Sequence, residues 1–305
     1  MTWLTRTGQR VLTTPAARTG RSQICAVLAL DVSQLELLCS RVFPDVDPPP
    51  DRYGGRPPVP GWRRLAAVLA YLRLPRATLR RAGAVVGVGR STVARALREL
   101  LPTLAGLGLT QPDGSVLQPA DLHEWLAELA AGSELVLIDG TVTEIPRPAL
   151  ASTRRLFWNV KHACYSYQSL TVVTPAGDFL ALTSGWPGKV HELDALDHAA
   201  FLPALVTSKV LTLADRGFRG APARTGARFA LPVGRWSKRH DLPETVQAYN
   251  YRQNSTRAGA EHGMAALKHW GILRFTRFSI VRFVDAARAV ANIISLLRYG
   301  HRAAS

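Results

Sequence analysis

Residues 135–139 read Leu-Val-Leu-Ile-Asp, and residues 210–215 read Val-Leu-Thr-Leu-Ala-Asp. Each run is short, almost entirely apolar and ends in an aspartate, which is typical of a buried strand followed by a polar turn. Because active sites in open α/β sheets lie at the carboxyl ends of the strands, we expect Asp139 and Asp215 to lie side by side at that edge. Two neighbouring carboxylates repel each other unless a cation lies between them, and oxygen ligands suit Mg²⁺.

A third acidic residue stands in a helical segment predicted over residues 255–270. Since a helix turns by about 100° per residue, Glu261 lies about 40° past one full turn from Arg257, and Lys268 lies about 20° past three turns. The three side chains therefore share one stripe, which suits a metal-ligating glutamate between two cations that hold phosphates. The alternative is a surface helix with an ion pair between Arg257 and Glu261. The two strand-end aspartates favour the first interpretation.

The segment before residue 106 is predicted to be helical, with a glycine turn at residues 86–89, Val-Gly-Val-Gly. The predicted helices cover residues 26–40, 63–74, 77–86 and 91–102. The last two, with the turn between them, form a helix-turn-helix, whose second helix enters the DNA major groove. The residues that would contact DNA are Arg90, Ser91, Thr92 and Arg95. The alternatives are a plain helical pair with a solvated arginine face, and a Ser91 that only caps the helix.

The rest of the chain divides into a basic arm over residues 1–24, a Pro-rich linker over 44–61, a connector over 107–133 and a catalytic domain over 134–300. Further strands are predicted at residues 156–160, 164–173 and 178–184, and further helices at 119–131, 191–202 and 281–298. The last of these helices is expected to cover the sheet. This mixture of strands and crossover helices predicts an α/β fold preceded by the all-α helix-turn-helix domain at 61–106.

The net charge of +16 is unevenly distributed. Residues 1–100 carry 16 basic and 6 acidic side chains, residues 101–200 carry 5 and 11, and residues 201–305 carry 17 and 5. Two basic zones around an acidic middle indicate a polyanionic partner, although charge also serves solubility. No apolar stretch approaches the ~18 residues of a membrane span. The first 25 residues do not resemble a secretory signal, so we expect a reducing compartment that contains nucleic acid.

The chain resembles the DDE-type transposases of bacterial insertion sequences, in particular the IS-five group. Five motifs, in order and with matching spacing, carry the resemblance. They are Asp139-Gly140-Thr141, Arg154-Arg155, residues 186–192 (Trp-Pro-Gly-Lys-Val-His-Glu), residues 213–218 (Leu-Ala-Asp-Arg-Gly-Phe), and Arg257, Glu261 and Lys268. The chain departs from the family at Asn254 and Phe218, where tyrosine is common, and at Glu192, where aspartate is common.

The resemblance implies a ribonuclease-H-like mixed sheet, with two Mg²⁺ ions, replaceable by Mn²⁺, held by Asp139, Asp215 and Glu261. It implies cleavage of double-stranded DNA at the ends of the element and transfer of the freed 3′-hydroxyl into target DNA. Arg257 and Lys268 would hold phosphates of the cut strand. We expect a homo-oligomer on DNA, in the bacterial cytoplasm at the nucleoid, with no membrane partner.

Two other functions stay open: a DNA-binding repressor with an inactive nuclease fold, and a nuclease without strand transfer. Trp186 is expected to pack rather than to stack on a base, and His191 to hold a loop rather than to assist the site. Asp178 is expected to be a solvated hairpin residue, and Glu144 a neighbour of the site rather than a ligand.

Overall fold

The computed structural model describes residues 20–44, 59–234 and 241–300. Within these residues, helices surround one mixed sheet and a small hairpin. The helices are α1 (Arg21–Leu28), α2 (Val32–Val42), α3 (Gly61–Arg73), α4 (Leu79–Val86), α5 (Arg90–Ala105), α6 (Leu122–Ala131), α7 (Ala151–Phe157), α8 (Glu192–Asp197), α9 (Leu202–Ser208), α10 (Ala221–Thr225), α11 (Glu244–Lys268), α12 (Gly271–Arg274) and α13 (Ile280–Tyr299). A 3₁₀ turn covers Arg216–Phe218.

The strands form a two-stranded hairpin and a six-stranded sheet. They are β1 (Leu109–Thr110), β2 (Val116–Leu117), β3 (Leu135–Glu144), β4 (Trp158–Asn159), β5 (Cys164–Val173), β6 (Phe179–Pro187), β7 (Leu211–Leu213) and β8 (Phe229–Ala230). In the larger sheet β6, β5, β3, β7 and β8 follow one another, and β4 also pairs with β5. The pairs β6–β5 and β5–β3 are antiparallel, whereas β3–β7 and β7–β8 are parallel. The predicted α/β class is confirmed.

The strand that carries Asp139 is longer than its apolar run predicted. Leu135–Ile138 continues as far as Glu144, so Asp139 lies inside β3 rather than at its end, as the sequence had suggested. The parallel partner β7 stops pairing at Leu213, opposite Leu137, while the antiparallel partner β5 pairs with β3 up to Glu144. Asp139 is therefore at the end of the parallel pairing but not at the end of its strand.

The glycine turn between α4 and α5 has the tight geometry that its sequence predicted. Gly87 ends α4 with a φ of +71°, a conformation that favours glycine. A Cβ on Gly83 would stand 2.5 Å from the carbonyl oxygen of Val88 and 3.3 Å from Cγ2 of Val93. Only a residue without a side chain lets the turn fold back this closely on α4. Helices α3, α4 and α5 all pack against one another, and α5 runs to Ala105 through Pro102.

Helix α13 joins the helical segment to the sheet. It packs on β6, as expected for a helix that covers the sheet, and also on α5. The buried Asn292 donates hydrogen bonds of 3.0 Å to the carbonyl oxygens of Leu104 and Ala105, at the end of α5. Ser295 accepts a 3.0 Å hydrogen bond from the backbone N–H of Thr110. One continuous set of buried apolar side chains runs from α1 to α13.

Two elements near the N-terminus differ from the sequence prediction. The single helix predicted over 26–40 is two helices, because Ala29 adopts a φ of +51° and ends α1, and Asp31 then caps α2 by accepting from the N–H of Gln34. The predicted arm over 1–24 falls mostly on residues outside the described part, but α1 already begins at Arg21. Residues 45–58 of the predicted linker also lie outside it.

Two predictions in the second half of the chain were also wrong in part. Residues 156–160 are strand only at Trp158–Asn159, because α7 runs up to Phe157. The helix predicted over 191–202 is interrupted, with α8 ending at Asp197 and α9 beginning at Leu202. Among the described residues no single helix has the length and hydropathy for a bilayer span; α1 and α2 meet that criterion only when counted together, at a bend of 93°.

Candidate active site

The register of two parallel strands brings Asp139 and Asp215 together. Leu137 of β3 pairs with Leu213 of β7, and each aspartate follows its paired leucine by two residues. The two side chains therefore leave adjacent strands at the same level of the sheet. The negative charge of each aspartate disfavours ionisation of the other, since like charges repel at short range. The predicted juxtaposition of the two strand-borne acids is present in the structure.

Each aspartate is oriented by a backbone N–H group close to it in sequence. Oδ1 of Asp139 accepts a 2.9 Å hydrogen bond from the N–H of Gly140. Oδ1 of Asp215 accepts a 2.8 Å hydrogen bond from the N–H of Gly217 and so caps the 3₁₀ turn that begins at Arg216. Within the described chain no protein group hydrogen-bonds Oδ2 of either carboxylate, so each has an oxygen available for a ligand.

Burial raises the pKa of Asp139, since the charged form loses solvation, and the nearby negative charge of Asp215 raises it further. The Gly140 hydrogen bond and the positive charges of Arg257 and Lys268 act in the opposite direction. The effect of these two cations shows that the Arg257–Lys268 side of α11 is close to Asp139. Helix α11 is continuous over both residues, as the predicted stripe requires.

The structure adds an acidic residue to which the sequence analysis had assigned no role. Glu192 is the first residue of α8, and its side chain is 24% exposed. A Cβ on Gly140 would stand 3.1 Å from Oε1 of Glu192, and one on Gly217 would stand 2.4 Å from Oε2. The carboxylate therefore lies between the two glycines that follow Asp139 and Asp215. Burial first, then the charges of Asp215 and Asp139, raise the pKa of Glu192.

The opposing positive charge at Glu192 is weak. Nζ of Lys161 lies 4.0 Å from Oε1, and the Lys161 side chain is largely exposed. His191, the preceding residue, caps α8 by accepting a 3.2 Å hydrogen bond from the N–H of Leu193. The structural role expected for His191 is thus present, and it fixes the start of the helix that carries Glu192. Two features of the sequence could have pointed to Glu192. One is the His191-Glu192 pair within a motif of the family, and the other is the glycine close to each aspartate.

The position of Glu261, the third predicted acid, is defined by its helix. It is exposed on α11, between Arg257 and Lys268 in sequence. Both of those cations influence the pKa of Asp139. The structure thus brings together Asp139, Asp215, Arg257 and Lys268 of the predicted site. The metal-ligand role of Glu261 stays a prediction.

A cleft of about 480 Å³ adjoins Asp215 on the side of α11. Its described lining includes Arg216, Arg257, Asn254 and Asn250. Asn250 is held on the wall, because its amide donates to the carbonyl oxygen of Val233 and accepts from the N–H of the same residue. Two guanidinium groups and an exposed amide beside the Asp215 carboxylate give a surface suited to a polyanionic strand. Asn254 therefore faces the same cleft as Arg257.

The predicted DNA-contacting residues lie at the start of α5. Arg90, Ser91 and Arg95 are exposed and Thr92 is half-buried. The alternative that Ser91 caps the helix is wrong, since Gly89 occupies the N-cap position. These side chains are thus free to reach a partner.

The structure also gives the surroundings of three other residues that the sequence analysis considered: Asp178, Glu144 and Trp186. Asp178 is 6% exposed rather than solvated: Oδ1 accepts from the Tyr299 hydroxyl at 2.5 Å and pairs with Arg298 at 2.8 Å, which corrects the sequence expectation. Glu144 pairs with Arg76 at 3.4 Å. Trp186 is half-buried in β6 and packs against the core, in agreement with a packing role.

The described residues contain no group of three or more His, Cys, Asp or Glu side chains already arranged to hold a metal ion. The donor types nevertheless suit one class of ion. Asp139, Asp215 and Glu192 offer carboxylate oxygens only, which is the ligand chemistry of Mg²⁺ and Mn²⁺ rather than of zinc or copper.

Comparison with known proteins is consistent with this geometry. The sequence model of the DDE superfamily endonucleases matches residues 138–297, which include both aspartates, Glu192 and all of α11. A protein from Streptomyces albus G, named as the candidate transposase of insertion sequence element IS112, is 27% identical over 227 residues, covering 73% of this chain and 75% of that protein. No solved structure matches the chain.

Proposed function

The chain belongs to the DDE superfamily endonucleases and is a DDE-type insertion-sequence transposase, and from this premise we propose that it cuts DNA at the ends of its element and joins the freed 3′-hydroxyl to target DNA. The observation that carries the proposal is the shared register of β3 and β7, which sets Asp139 beside Asp215. The sheet order β6-β5-β3-β7-β8, with two antiparallel and two parallel pairings, supports a ribonuclease-H-like catalytic fold. Membership of the IS-five group is part of the proposal.

DDE superfamily endonucleases generally use divalent metal ions. In this chain Asp139 and Asp215, with Glu261 as the third predicted ligand, would hold two Mg²⁺ or Mn²⁺ ions. When bound, such ions lower the pKa of an attacking oxygen nucleophile and stabilise the negative charge of the leaving oxygen. The all-carboxylate donor set around Asp139 fits these ions.

The protein's own groups would position the DNA strand. Arg257 and Lys268 place two positive charges close to Asp139, where they would bind phosphates on either side of the scissile bond. Arg216 extends that charge along the cleft beside Asp215. The N–H groups of Gly140 and Gly217 hold one oxygen of each aspartate, and the other oxygen of each would be available to a ligand. No covalent bond between protein and DNA is needed for this phosphoryl transfer.

The helical segment would deliver the DNA end. Helices α4 and α5 with the Gly87 turn have the helix-turn-helix arrangement, and Arg90, Ser91, Thr92 and Arg95 would contact the duplex from the start of α5. We expect the protein to act as a homo-oligomer on two transposon ends in the bacterial cytoplasm, at the nucleoid.

The first test uses Asp139→Asn and Asp215→Asn on linear DNA that carries one end of the element, with Mg²⁺. Removing either carboxylate should reduce cleavage by about three orders of magnitude or more, because charge stabilisation at the reacting phosphate supplies a term of that size. Glu128→Gln, an exposed acid on α6, serves as the matched control and should cut normally. Cleavage that survives in both aspartate variants would exclude this site.

The same experiment separates the alternatives. A transposase yields a joined donor–target product when target DNA is added, whereas a nuclease without strand transfer yields only the cut end. A repressor with an inactive nuclease fold binds the end and yields neither. Among the described residues no protein group hydrogen-bonds Oδ2 of Asp139 or Asp215, and this favours an active enzyme over a repressor, since an inactive fold has no reason to leave these atoms without a partner in a half-buried site.

A further inference from the structure

We propose that Arg80, Arg90 and Arg277 form one cleft that binds backbone phosphates of duplex DNA, and that the helical segment and the catalytic part build this cleft together. The proposal rests on the proposed function, because it names a place where the transposon DNA is held. The juxtaposition that carries it is the convergence of three arginines from separate elements on a surface cleft of about 360 Å³.

The first argument is electrostatic. Arg80 lies on α4, Arg90 begins α5, and Arg277 lies between α12 and α13. All three are exposed, and none of them forms an ion pair with a described residue. The described lining of the cleft contains no acidic side chain. Because three positive charges that share one cleft repel one another, an anion bound between them would stabilise the arrangement.

Several other exposed arginines of the chain have acidic partners. Arg76 lies 3.4 Å from Glu144, and Arg224 pairs with both Asp194 and Asp197. Arginine also suits phosphate, because its guanidinium group can donate two parallel hydrogen bonds to the phosphate oxygens. A cleft with three guanidinium groups and no carboxylate among its described residues is therefore suited to the backbone of a nucleic acid.

The second argument concerns rigidity, because two buried residues fix the backbone on either side of Arg277. The N–H of Thr276 donates a 2.9 Å hydrogen bond to the carbonyl oxygen of Glu144, at the end of β3. The ring of Phe278 stacks on the ring of Tyr71 in α3, with the ring centroids 5.2 Å apart. Arg277 is thus held where the helical segment meets the sheet, with its side chain in solvent.

Tyr71 also lines the cleft. Burial raises the pKa of its hydroxyl group, while the positive charges of Arg277 and Arg282 act in the opposite direction. Arg282, an exposed residue of α13, therefore adds a fourth positive charge close to the cleft. The catalytic part thus contributes two cations to this region, and the helical segment contributes Arg80 and Arg90.

Backbone N–H groups at the start of α4 belong to the same cleft. Thr78 caps α4 by accepting a 3.1 Å hydrogen bond from the N–H of Arg81. The N–H groups of Leu79 and Arg80 have no acceptor among the described residues, and both residues line the cleft. Such N–H groups in the first turn of a helix stabilise a bound anion. Because Arg90 begins the helix that would contact the duplex, the anion expected in this cleft is a phosphate of the same duplex.

The test measures the affinity of the full-length protein for labelled linear DNA that carries one end of the element, in EDTA. Arg277→Ala should weaken binding by about tenfold, because a charged hydrogen bond to phosphate is lost. It should also lower the slope of log affinity against log salt concentration by about 0.9. Arg277→Lys keeps the charge and should keep most of that slope.

Arg76→Ala is the matched control. The guanidinium groups of Arg76 and Arg277 lie over the same Phe275 ring, 4.7 Å and 5.2 Å from its centroid, but Arg76 is paired with Glu144 and is not among the described lining of the cleft. Arg76→Ala should therefore bind DNA as the wild type does. Equal losses in Arg76→Ala and Arg277→Ala would refute the cleft, since any positive charge on this surface would then serve. Thermal melts check that both variants keep the wild-type fold.

Ethylation of single phosphates maps the contact, because it removes one negative charge at a time and weakens binding where that phosphate is held. Arg277→Ala and Arg90→Ala should each abolish this interference at phosphates of one strand that lie within about two nucleotides of each other, since both side chains line one cleft. An unchanged interference pattern in Arg277→Ala, or losses far apart on the DNA, would overturn the proposal.

Cleavage assays separate this proposal from the proposed function. If Arg277→Ala binds DNA like the wild type while Asp139→Asn abolishes cleavage, the cleft does not hold DNA and the proposed function stands. If Arg277→Ala weakens binding while Asp139→Asn cuts like the wild type, the cleft holds DNA and the proposed active site is wrong.

Discussion

Asp139 is half-buried beside a second acid. The cations near it, Arg257 and Lys268, belong to α11, which is far from Asp139 along the sequence. Asp139 is a central residue of β3, so its backbone cannot move away from Asp215 without disturbing the pairing of β3 with β5. Arg257 and Lys268 offset part of the repulsion, yet burial still dominates and the pKa of Asp139 remains above its ordinary value of 3.8. Folding therefore shifts the equilibrium of Asp139 towards its protonated form when no metal is bound.

The raised pKa of Asp139 makes its contribution to the stability of the metal-free protein depend on pH. An acid whose pKa is raised on folding binds its proton more tightly in the native state, so the contribution of Asp139 to metal-free stability falls as pH rises above about 3.8 and stays lower at neutral pH. Asp139→Asn has no proton to lose, so we expect it to have a higher Tm than wild type at pH 7 in EDTA and a shallower decline with pH. Glu128→Gln should follow wild type. An Asp139→Asn protein that melts below wild type at pH 7 would contradict the assigned electrostatics.

Among individual residues, the sequence placed Asp139 and Asp215 in the candidate site but did not place Glu192 there. Asp139 and Asp215 each end an apolar run, and a buried strand is visible in the sequence because the apolar residues are contiguous. The approach of Glu192 depends on where α8 packs against the sheet, which local pattern does not encode. Glu144 and Asp178 could not be assigned either, since their partners Arg76 and Tyr299 are 68 and 121 residues away along the chain.

Helices and strands could be predicted where the apolar residues of the sequence pattern are buried in the structure. The run at 156–160, Leu-Phe-Trp-Asn-Val, is rich in apolar and aromatic residues, as a strand would be, yet Leu156 is 53% exposed and Val160 is 82% exposed, so their hydropathy does not report packing. The break between α1 and α2 had no signal, because the left-handed residue there is Ala29 rather than a glycine. By contrast, Gly87 marked the α4–α5 turn correctly.

The α4–α5 turn gives a prediction at the element scale. Gly83→Ala would place a Cβ 2.5 Å from the Val88 carbonyl oxygen, a backbone atom that cannot rotate away. We expect a loss of stability of about 1–3 kcal/mol, typical of overpacking, and weaker binding to terminal DNA. Gly106→Ala is the matched control, because its nearest contacts would be ordinary ones of 3.5 and 3.6 Å. Thermal melts and fluorescence anisotropy measure both effects, and a Gly83→Ala protein as stable as Gly106→Ala would refute the argument.

From the sequence, a helical domain and a separate catalytic domain were predicted. In the structure these two parts of the chain pack against each other. Helix α13, near the end of the described chain, lies against α5 and β6 together, and Asn292 bonds to the carbonyls at the end of α5. Helix α5 and strand β3, which carries Asp139, thus contribute buried residues to one continuous core. A duplex bound at Arg90 and a strand bound at Arg257 would have a fixed spatial relation to each other.

This arrangement predicts how DNA affinity depends on salt. If both basic zones contact one DNA molecule, each phosphate contact contributes about 0.9 to the slope of log affinity against log salt concentration. Removing Arg90 and Arg95 by alanine substitution should therefore reduce the slope by about 2, removing Arg257 and Lys268 should do the same, and the four together should reduce it by about 4. The measurement is anisotropy of labelled terminal DNA over a range of NaCl concentrations.

Arg224→Ala is the control for these variants. Arg224 is an arginine too, but it is neutralised by Asp194 and Asp197, so its loss releases no counterion from DNA and should leave the slope unchanged. A slope that responds to Arg90 and Arg95 but not to Arg257 and Lys268 would mean that DNA is held by α5 alone and does not reach the acids. The reverse pattern would place binding at the cleft and remove the role proposed for α5. Only equal and additive losses support one duplex spanning both basic zones.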